Sequence, residues 1–323
     1  MGIMNQVTPA GMNREHGPTV RSACRLKPGT AINMDTTVKA SQSAPMTLGA
    51  ALRVHRVPLL LGAAAVVLAY HHVGALMVRD WYLDDNSSHG FLVPVISGYL
   101  VWLRRKELAG LPVVPCWAGL GLVVAAMVLL VAGWLASELF TMRSSLVLLL
   151  CGCVLFWLGR EVFARLATPL LFLLFMVPIP AIVYEAVAFP LKLLVSRLSV
   201  DGLKAMGVMV LREGNIIMFP NISLEVVDAC SGLRSLTSLL ALGTAYSLIF
   251  CRSHWQRLLL VASTVPIAVL ANVIRVTGTG LLARHIGAGA AEGFFHEFTG
   301  LVIFMLALAM LFGLHQVLRR FGP

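Results

Sequence analysis

Apolar residues in this chain come in long unbroken blocks, not in alternation. From about Val57 onward, the blocks are separated by short segments rich in Arg, Asp, Gly and Pro. Blocks near 20 residues predict helices that cross a membrane, whereas a transmembrane β-barrel would alternate apolar and polar residues along each strand. The pattern predicts eight spans: about 57–78, 91–103, 115–136, 144–158, 168–183, 231–251, 258–274 and 301–317. The fifth is broken by Pro178 and Pro180. The fold class expected is therefore an all-α polytopic membrane protein.

Two segments depart from this pattern. Over residues 184–210, Leu191, Val195, Leu198 and Met206 recur at helical spacing, while Lys192, Arg197, Asp201 and Lys204 fall elsewhere. That spacing predicts an amphipathic helix lying along a membrane interface. The following stretch, "REGNIIMFPNISLEVVD", sets Ile222, Leu224 and Val226 against Ser223 and Glu225, with Pro220-Asn221 as a turn centre. A short β-hairpin is expected there.

Composition agrees with the block pattern. The 323 residues are 58% hydrophobic and only 12% charged, with a mean hydropathy of +0.85, and soluble domains carry about twice that share of charge. Lys and Arg number 25 against 15 Asp and Glu. A basic surplus can signal a nucleic-acid partner, but here the positions fit the positive-inside rule better. Clusters at Arg104–Lys106, Arg160 and Arg165, Arg252 and Arg257, and Arg319–Arg320 all fall on one side of an eight-span topology with both termini inside. Residues 1–56 are polar and basic, with no apolar core of signal-peptide length. They are expected to form a disordered cytoplasmic tail ahead of a membrane domain over 57–320. No Gly-rich phosphate loop, CxxC pair, HExxH or internal repeat occurs, so no metal or cofactor is expected.

The topology also separates the six cysteines. Cys24 falls in the tail, Cys116 and Cys251 near the inner face, and Cys151 and Cys153 in mid-membrane. Cys230, in "LEVVDACSGLRSLTSLL", alone falls at the outer face. In an oxidising compartment a structural cysteine normally has a partner, and this topology offers it none. Asp228 or Ser231 can cap the sixth helix, which puts Cys230 near its first turn, where the helix dipole and a nearby cation favour the thiolate. Arg234 lies four residues on, along the same face. The plainer alternative is that Cys230 packs as a small hydrophobe.

More polar groups fall at the same depth. "LANVIRVTGTG" brings Asn272 and Arg275 to the outer end of the seventh span, and "AEGFFHEFTG" puts His296 just before the eighth. An arginine in an apolar span is costly and usually functional or paired, although one near a helix end can snorkel to the interface. A thiol, a guanidinium and an imidazole together suit acyl transfer: a nucleophile, an oxyanion donor and a proton carrier. His89 falls on that side too. It can reach the same pocket, or "SSHG" can simply cap the second helix through Ser87 or Ser88. Asp228, Glu225 and Glu297 are each able to orient His296 or an arginine.

Taken together, "ACSGLRSL" after a β-like segment, "NVIRV" in a late span and "FFH" before the last one resemble the exosortase family of bacterial inner-membrane cysteine enzymes. "SSHGFLVPVISGYLVWLRR" and "VLREGNIIMFP" fit that resemblance, which covers about residues 80–320. It implies a protease-transpeptidase with Cys230, Arg275 and His296 as triad. The implied substrates are exported proteins ending in a Pro-Glu-Pro-like motif, one membrane helix and a basic cluster, cleaved at the outer face. The family is often associated with exopolysaccharide export. Spacing leaves open whether Arg275 or Arg234 holds the oxyanion; the resemblance favours Arg275, with Arg234, Asn272, His89, Asp228 and Glu297 in supporting roles. Three rivals stand beside this: a polytopic transporter, a non-catalytic subunit of an export assembly, and an intramembrane serine protease using Ser231 or Ser235. A transporter would show mid-membrane ionisable groups and two similar halves, and a serine enzyme would show a GxSxG-like turn. Neither is present in the sequence.

Overall fold

The computed structural model describes residues 46–220, 223–226, 233–286 and 294–321, without the side chains of residues 285, 286, 294–297 and 321. Residues 1–45 of the expected tail lie outside the described residues, and the chain is helical from Leu48. In order, the helices are α1 (Leu48–Val54), α2 (Arg56–Leu83), α3 (Leu92–Leu103), α4 (Arg105–Ala109), α5 (Ala118–Leu135), α6 (Leu139–Phe172), α7 (Ala181–Ala205), α8 (Leu233–Phe250), α9 (His254–Ile286) and α10 (Phe294–Phe321). Tighter 3-10 turns cover Asp85–Phe91 and Leu173–Met176. Strands β1 (Leu211–Glu213), β2 (Ile216–Met218) and β3 (Ser223–Glu225) form one small antiparallel sheet between α7 and α8.

The all-α polytopic membrane fold is as expected, but the count of eight spans is corrected. Six described helices are long and apolar enough to cross a bilayer: Arg56–Leu83, Ala118–Leu135, Leu139–Met176, Leu233–Phe250, His254–Arg284 and Phe298–Arg320. The expected second span is α3, whose 12 residues reach only about 18 Å, well short of a hydrocarbon core about 30 Å thick. The expected fourth span and the start of the expected fifth share α6, interrupted at Gly159 (φ 87°), and the rest of the fifth runs through the Leu173–Met176 turn and the non-helical residues 177–180 into α7.

That interruption turns α6 back on itself. Arg143, near its start, pairs with Asp80 of α2, and the indole of the next residue, Trp81, donates to the carbonyl of Met176 just past its end. Both ends of a 34-residue helix therefore lie against one end of α2. The returning limb lies beside α3: Ser97 Oγ donates to the Pro169 carbonyl, and Arg104 donates to the Arg165 carbonyl. The two short segments thus satisfy each other's polar groups within the bundle.

Arg143 was not singled out by the sequence pattern. It is only 4% exposed, and its Nη2 lies 2.6 Å from the Asp80 carboxylate. Removing one partner of a buried pair leaves an uncompensated charge. Asp80→Asn is expected to destabilise the bundle by roughly 3 kcal/mol, the lower end for such a loss, because Asp80 is partly solvated. Thermal unfolding in detergent, compared with wild type, checks this.

α7 forms over most of the predicted stretch. Leu198 and Met206 are exposed, as apolar residues facing lipid would be, whereas Val195 and Lys192 are buried within the protein. The face turned inward combines small residues, Ala188, Ser196 and Ser199, with Val195, Val200 and Leu203, and Ser199 Oγ lies 3.5 Å from the carbonyl of Val273 on α9. Small side chains let two helix backbones approach closely, while the larger ones pack against the sheet.

The predicted hairpin is present and carries an extra strand. β2 pairs with β3 in the register Ile217↔Leu224, and β1 joins on the other side through a two-residue turn at Gly214-Asn215. Gly214 has φ 61°, a conformation suited to the first position of such a turn. Ile217, Phe219 and Val226 bury against Val195 and Leu203 of α7 and Val276 of α9. The sheet is thereby clamped onto the helices.

Candidate active site

The sheet delivers the chain to the stretch singled out in the sequence. Val226 exchanges main-chain contacts with Asn215, its N–H donating to the Asn215 carbonyl at 2.9 Å. The chain becomes helical again at Leu233, which is 4% exposed. Asp228, Cys230 and Ser231 lie outside the described residues, so the structure anchors both approaches to Cys230 without describing the thiol itself.

α8 then presents two functional faces. On the first, Ser235 and Leu239 line a small void of about 20 Å³ with Asn272 and Arg275 of α9 and Gly300, Ile303 and Phe304 of α10. That space holds about one water. Asn272 is 2% exposed and sits one turn before Arg275. The sequence placed Arg275 at a helix end, free to snorkel. The structure corrects this: α9 continues to Ile286, about three turns further, and the Arg275 guanidinium lies among three helices.

Gly300 explains how that charge is accommodated. A Cβ built there would lie 3.4 Å from Arg275 Nη2 and 3.6 Å from Cζ, so α10 offers bare backbone to the guanidinium. His296 falls in the first turn of α10, ahead of the span Phe298–Arg320, as the sequence placed it. It is four residues before Gly300, so the helical repeat puts both positions on one face; the side chains of His296 and Glu297 are not described. Gly300→Ala should be tolerated, since 3.4 Å is ordinary contact, whereas Gly300→Leu should displace Arg275 and cut activity roughly as far as losing an oxyanion donor, about 100-fold or more. Substrate-processing rates of both variants, beside their thermal stability, check this.

The second face of α8 lies on the opposite side of the helix, about half a turn away. Arg234 Nη1 is 3.1 Å from the Asp85 carboxylate, and both side chains are substantially exposed. Thr237 and Leu240, on the same face, wall a larger cavity that also holds His89. Arg234 pairs with Asp85 in the turn whose other end carries His89, whereas Arg275 and Asn272 line the separate void between α8, α9 and α10.

The Asp85–Phe91 turn is built by Asp84. Its carboxylate accepts from the Asn86 N–H at 3.0 Å and the Ser87 hydroxyl at 2.7 Å. Ser88 Oγ donates to the Asp85 carbonyl, and α3 has no side-chain cap. Ser87 and Ser88 thus stabilise the turn rather than cap α3 as the sequence suggested. Burial pushes the His89 pKa below its usual value, with main-chain groups of Phe175 and Asn86 and the Asp84 charge pulling weakly the other way. At neutral pH the ring is uncharged, with one donor and one acceptor nitrogen.

Sequence reasoning missed Asp84, Asp85, Tyr184 and Gly300. The "DDNSS" run carries a capping signature that could have found Asp84. Nothing local marks Gly300 or pairs Asp85 with a residue 149 positions away.

A comparison with protein-family models matches residues 81–313 to the transmembrane exosortase model. No curated protein and no solved structure matches the chain. The matched stretch contains both faces of α8, the β sheet and the arginine of α9, and the chain belongs to the transmembrane exosortase family.

Proposed function

We propose that this protein is a cysteine protease-transpeptidase that cleaves carboxy-terminal sorting signals of exported proteins at the outer face of the bacterial inner membrane. The observation that carries this reading is the placement of Arg275. Its guanidinium is turned into the bundle beside Gly300, on the α10 face that carries the His296 position, and against the first turns of α8. Cys230 is three peptide units before Leu233, no more than about 11 Å of extended chain.

In this reading the substrate's own membrane helix docks against the bundle and holds its motif, of Pro-Glu-Pro type, at a fixed depth. The Cys230 thiolate attacks the scissile carbonyl, and the carbonyl π electrons move onto oxygen. Arg275 stabilises that oxyanion, while Asn272 packs one turn away. His296 gives its proton to the departing amine as the C–N bond breaks, leaving a thioester on Cys230. It then takes a proton from the incoming nucleophile, water or an acceptor amine or hydroxyl, which releases the product and restores the thiolate. Arg234, held by Asp85 on the other face of α8, is assigned to substrate binding rather than to the oxyanion. Asp228 and Glu297 are assigned to orienting charged partners in the triad.

The test is co-expression with a tagged substrate bearing such a tail. Cys230→Ala and Cys230→Ser should abolish processing, and wild type should accumulate a hydroxylamine-sensitive adduct at Cys230. Processing that survives both substitutions would remove Cys230 from the chemistry and bring a transport or assembly role forward.

A further inference from the structure

The cavity on the second face of α8 has a volume of about 400 Å³, within the range of ligand-sized clefts. One wall is the Asp84–His89 turn, and another is Tyr184 and Glu185 at the start of α7. A third is Thr237 and Leu240 of α8, and the floor is the stretch from Leu174 to Ile179. None of these groups has a part in the acyl-transfer chemistry.

The floor is irregular backbone. Between Met176 and Ala181 the chain is extended, with Val177 at φ −84°, ψ 118° and Pro180 at φ −57°, ψ 140°. Non-helical backbone within a membrane protein is tolerated where it lines a cavity. Pro178 and Pro180 carry no N–H, so this wall offers mainly carbonyl acceptors. In the Asp84–His89 wall the Nδ1 of His89 is buried and makes no hydrogen bond of good geometry among the described residues. The ring is neutral, so it hydrogen-bonds without bringing charge.

The lining chemistry selects the occupant. It includes the carboxylates Asp84 and Glu185 and no lysine or arginine, which disfavours a phosphate or an anionic lipid headgroup. Carbonyl acceptors on one side, a neutral imidazole and Thr237 on others, and apolar Phe175, Ile179 and Leu240 between them suit an extended peptide with small side chains. The cavity is walled by α8, the helix that follows the Cys230 stretch in the chain, its wall residues Thr237 and Leu240 lying about one and two turns beyond Leu233.

We propose that this cavity is the subsite that receives the extended segment of the substrate polypeptide next to its scissile bond, with His89 as the hydrogen-bonding anchor. This rests on the peptide-cleaving reading above. His89 acts by positioning, so its removal should raise KM and leave kcat nearly unchanged.

The experiment uses the full chain in nanodiscs with the tagged substrate. His89→Leu should raise KM roughly three- to tenfold, the usual effect of one neutral hydrogen bond, and His89→Gln should largely restore it. A benzoylphenylalanine photoprobe placed at the exposed Ile179 should crosslink substrate residues flanking the cleavage site. Equal KM values for wild type and His89→Leu would overturn the proposal, and so would crosslinks confined to lipid or to the substrate's membrane helix. Because the photoprobe leaves every polar group of the cavity in place, its readout stands even where His89→Leu fails to fold. Absence of substrate cleavage by the wild-type chain would instead sink the peptide-cleaving reading itself, so the two failures are distinguishable.

Discussion

Arg275→Ala is expected to lower substrate processing by about 100- to 1,000-fold while leaving substrate binding largely intact, the effect of removing one oxyanion donor. Arg275→Lys should recover little, because a lysine ammonium is a compact point charge that lacks the planar fork of a guanidinium. A Cβ added at Gly300 would already touch that fork, so the glycine leaves room for a guanidinium whose shape an ammonium on a different stem does not reproduce. Arg234→Ala separates the two candidate arginines. Its partner Asp85 is exposed, and exposed pairs contribute at most about 1 kcal/mol, so the loss there should be severalfold and appear mainly in KM. Single-turnover cleavage rates of the three variants, with substrate capture measured alongside, decide the assignment. Equal losses at both positions would remove Arg275 from its special role.

Gly159→Val is expected to be the most damaging single change to the fold. Gly159 has φ 87°, a region a β-branched residue almost never adopts. A Cβ there would also overlap the carbonyl oxygen of Val114, next to a bridge that pairs Val114 with Gly159. Both objections act where α6 reverses direction, so the variant must straighten the helix or abandon the bridge. A straightened α6 would separate Arg143 from Asp80 or Trp81 from the Met176 carbonyl. Backbone strain of about 1–3 kcal/mol then adds to the loss of a buried ion pair, and little folded protein should reach the membrane. Gly159→Ala meets the same overlap without the branching and should be milder. Membrane-fraction yield and thermal unfolding of both variants check the order.

How much of this was legible in the sequence differs by element. The apolar runs marked α5 and α8 nearly in full and the greater part of α2 and α10, because in hydrocarbon a backbone without water must bond within its own segment. The alternation around Leu224 and Val226 gave the sheet, since burial of one face imposes a period of two. The candidate residues Cys230, Arg275 and His296 come from the sequence alone, Arg275 as a charge whose cost in an apolar span asks for an explanation; Cys230 lies outside the described residues.

The remainder is long-range in origin. The reversal of α6 depends on Val114 meeting Gly159, and the buried face of α7 depends on where α9 lies; neither is encoded locally. The length of α9 past Arg275 was hidden because Thr277, Gly278 and Arg284 read as the end of an apolar run, while packing against α7 and the sheet keeps the helix going. The sequence by itself determined a membrane bundle and the residue types able to perform acyl transfer, because hydrophobic cost is paid residue by residue. Only the tertiary structure decided that Arg275 and Arg234 serve different faces of α8, because which groups meet depends on how helices distant in sequence pack together.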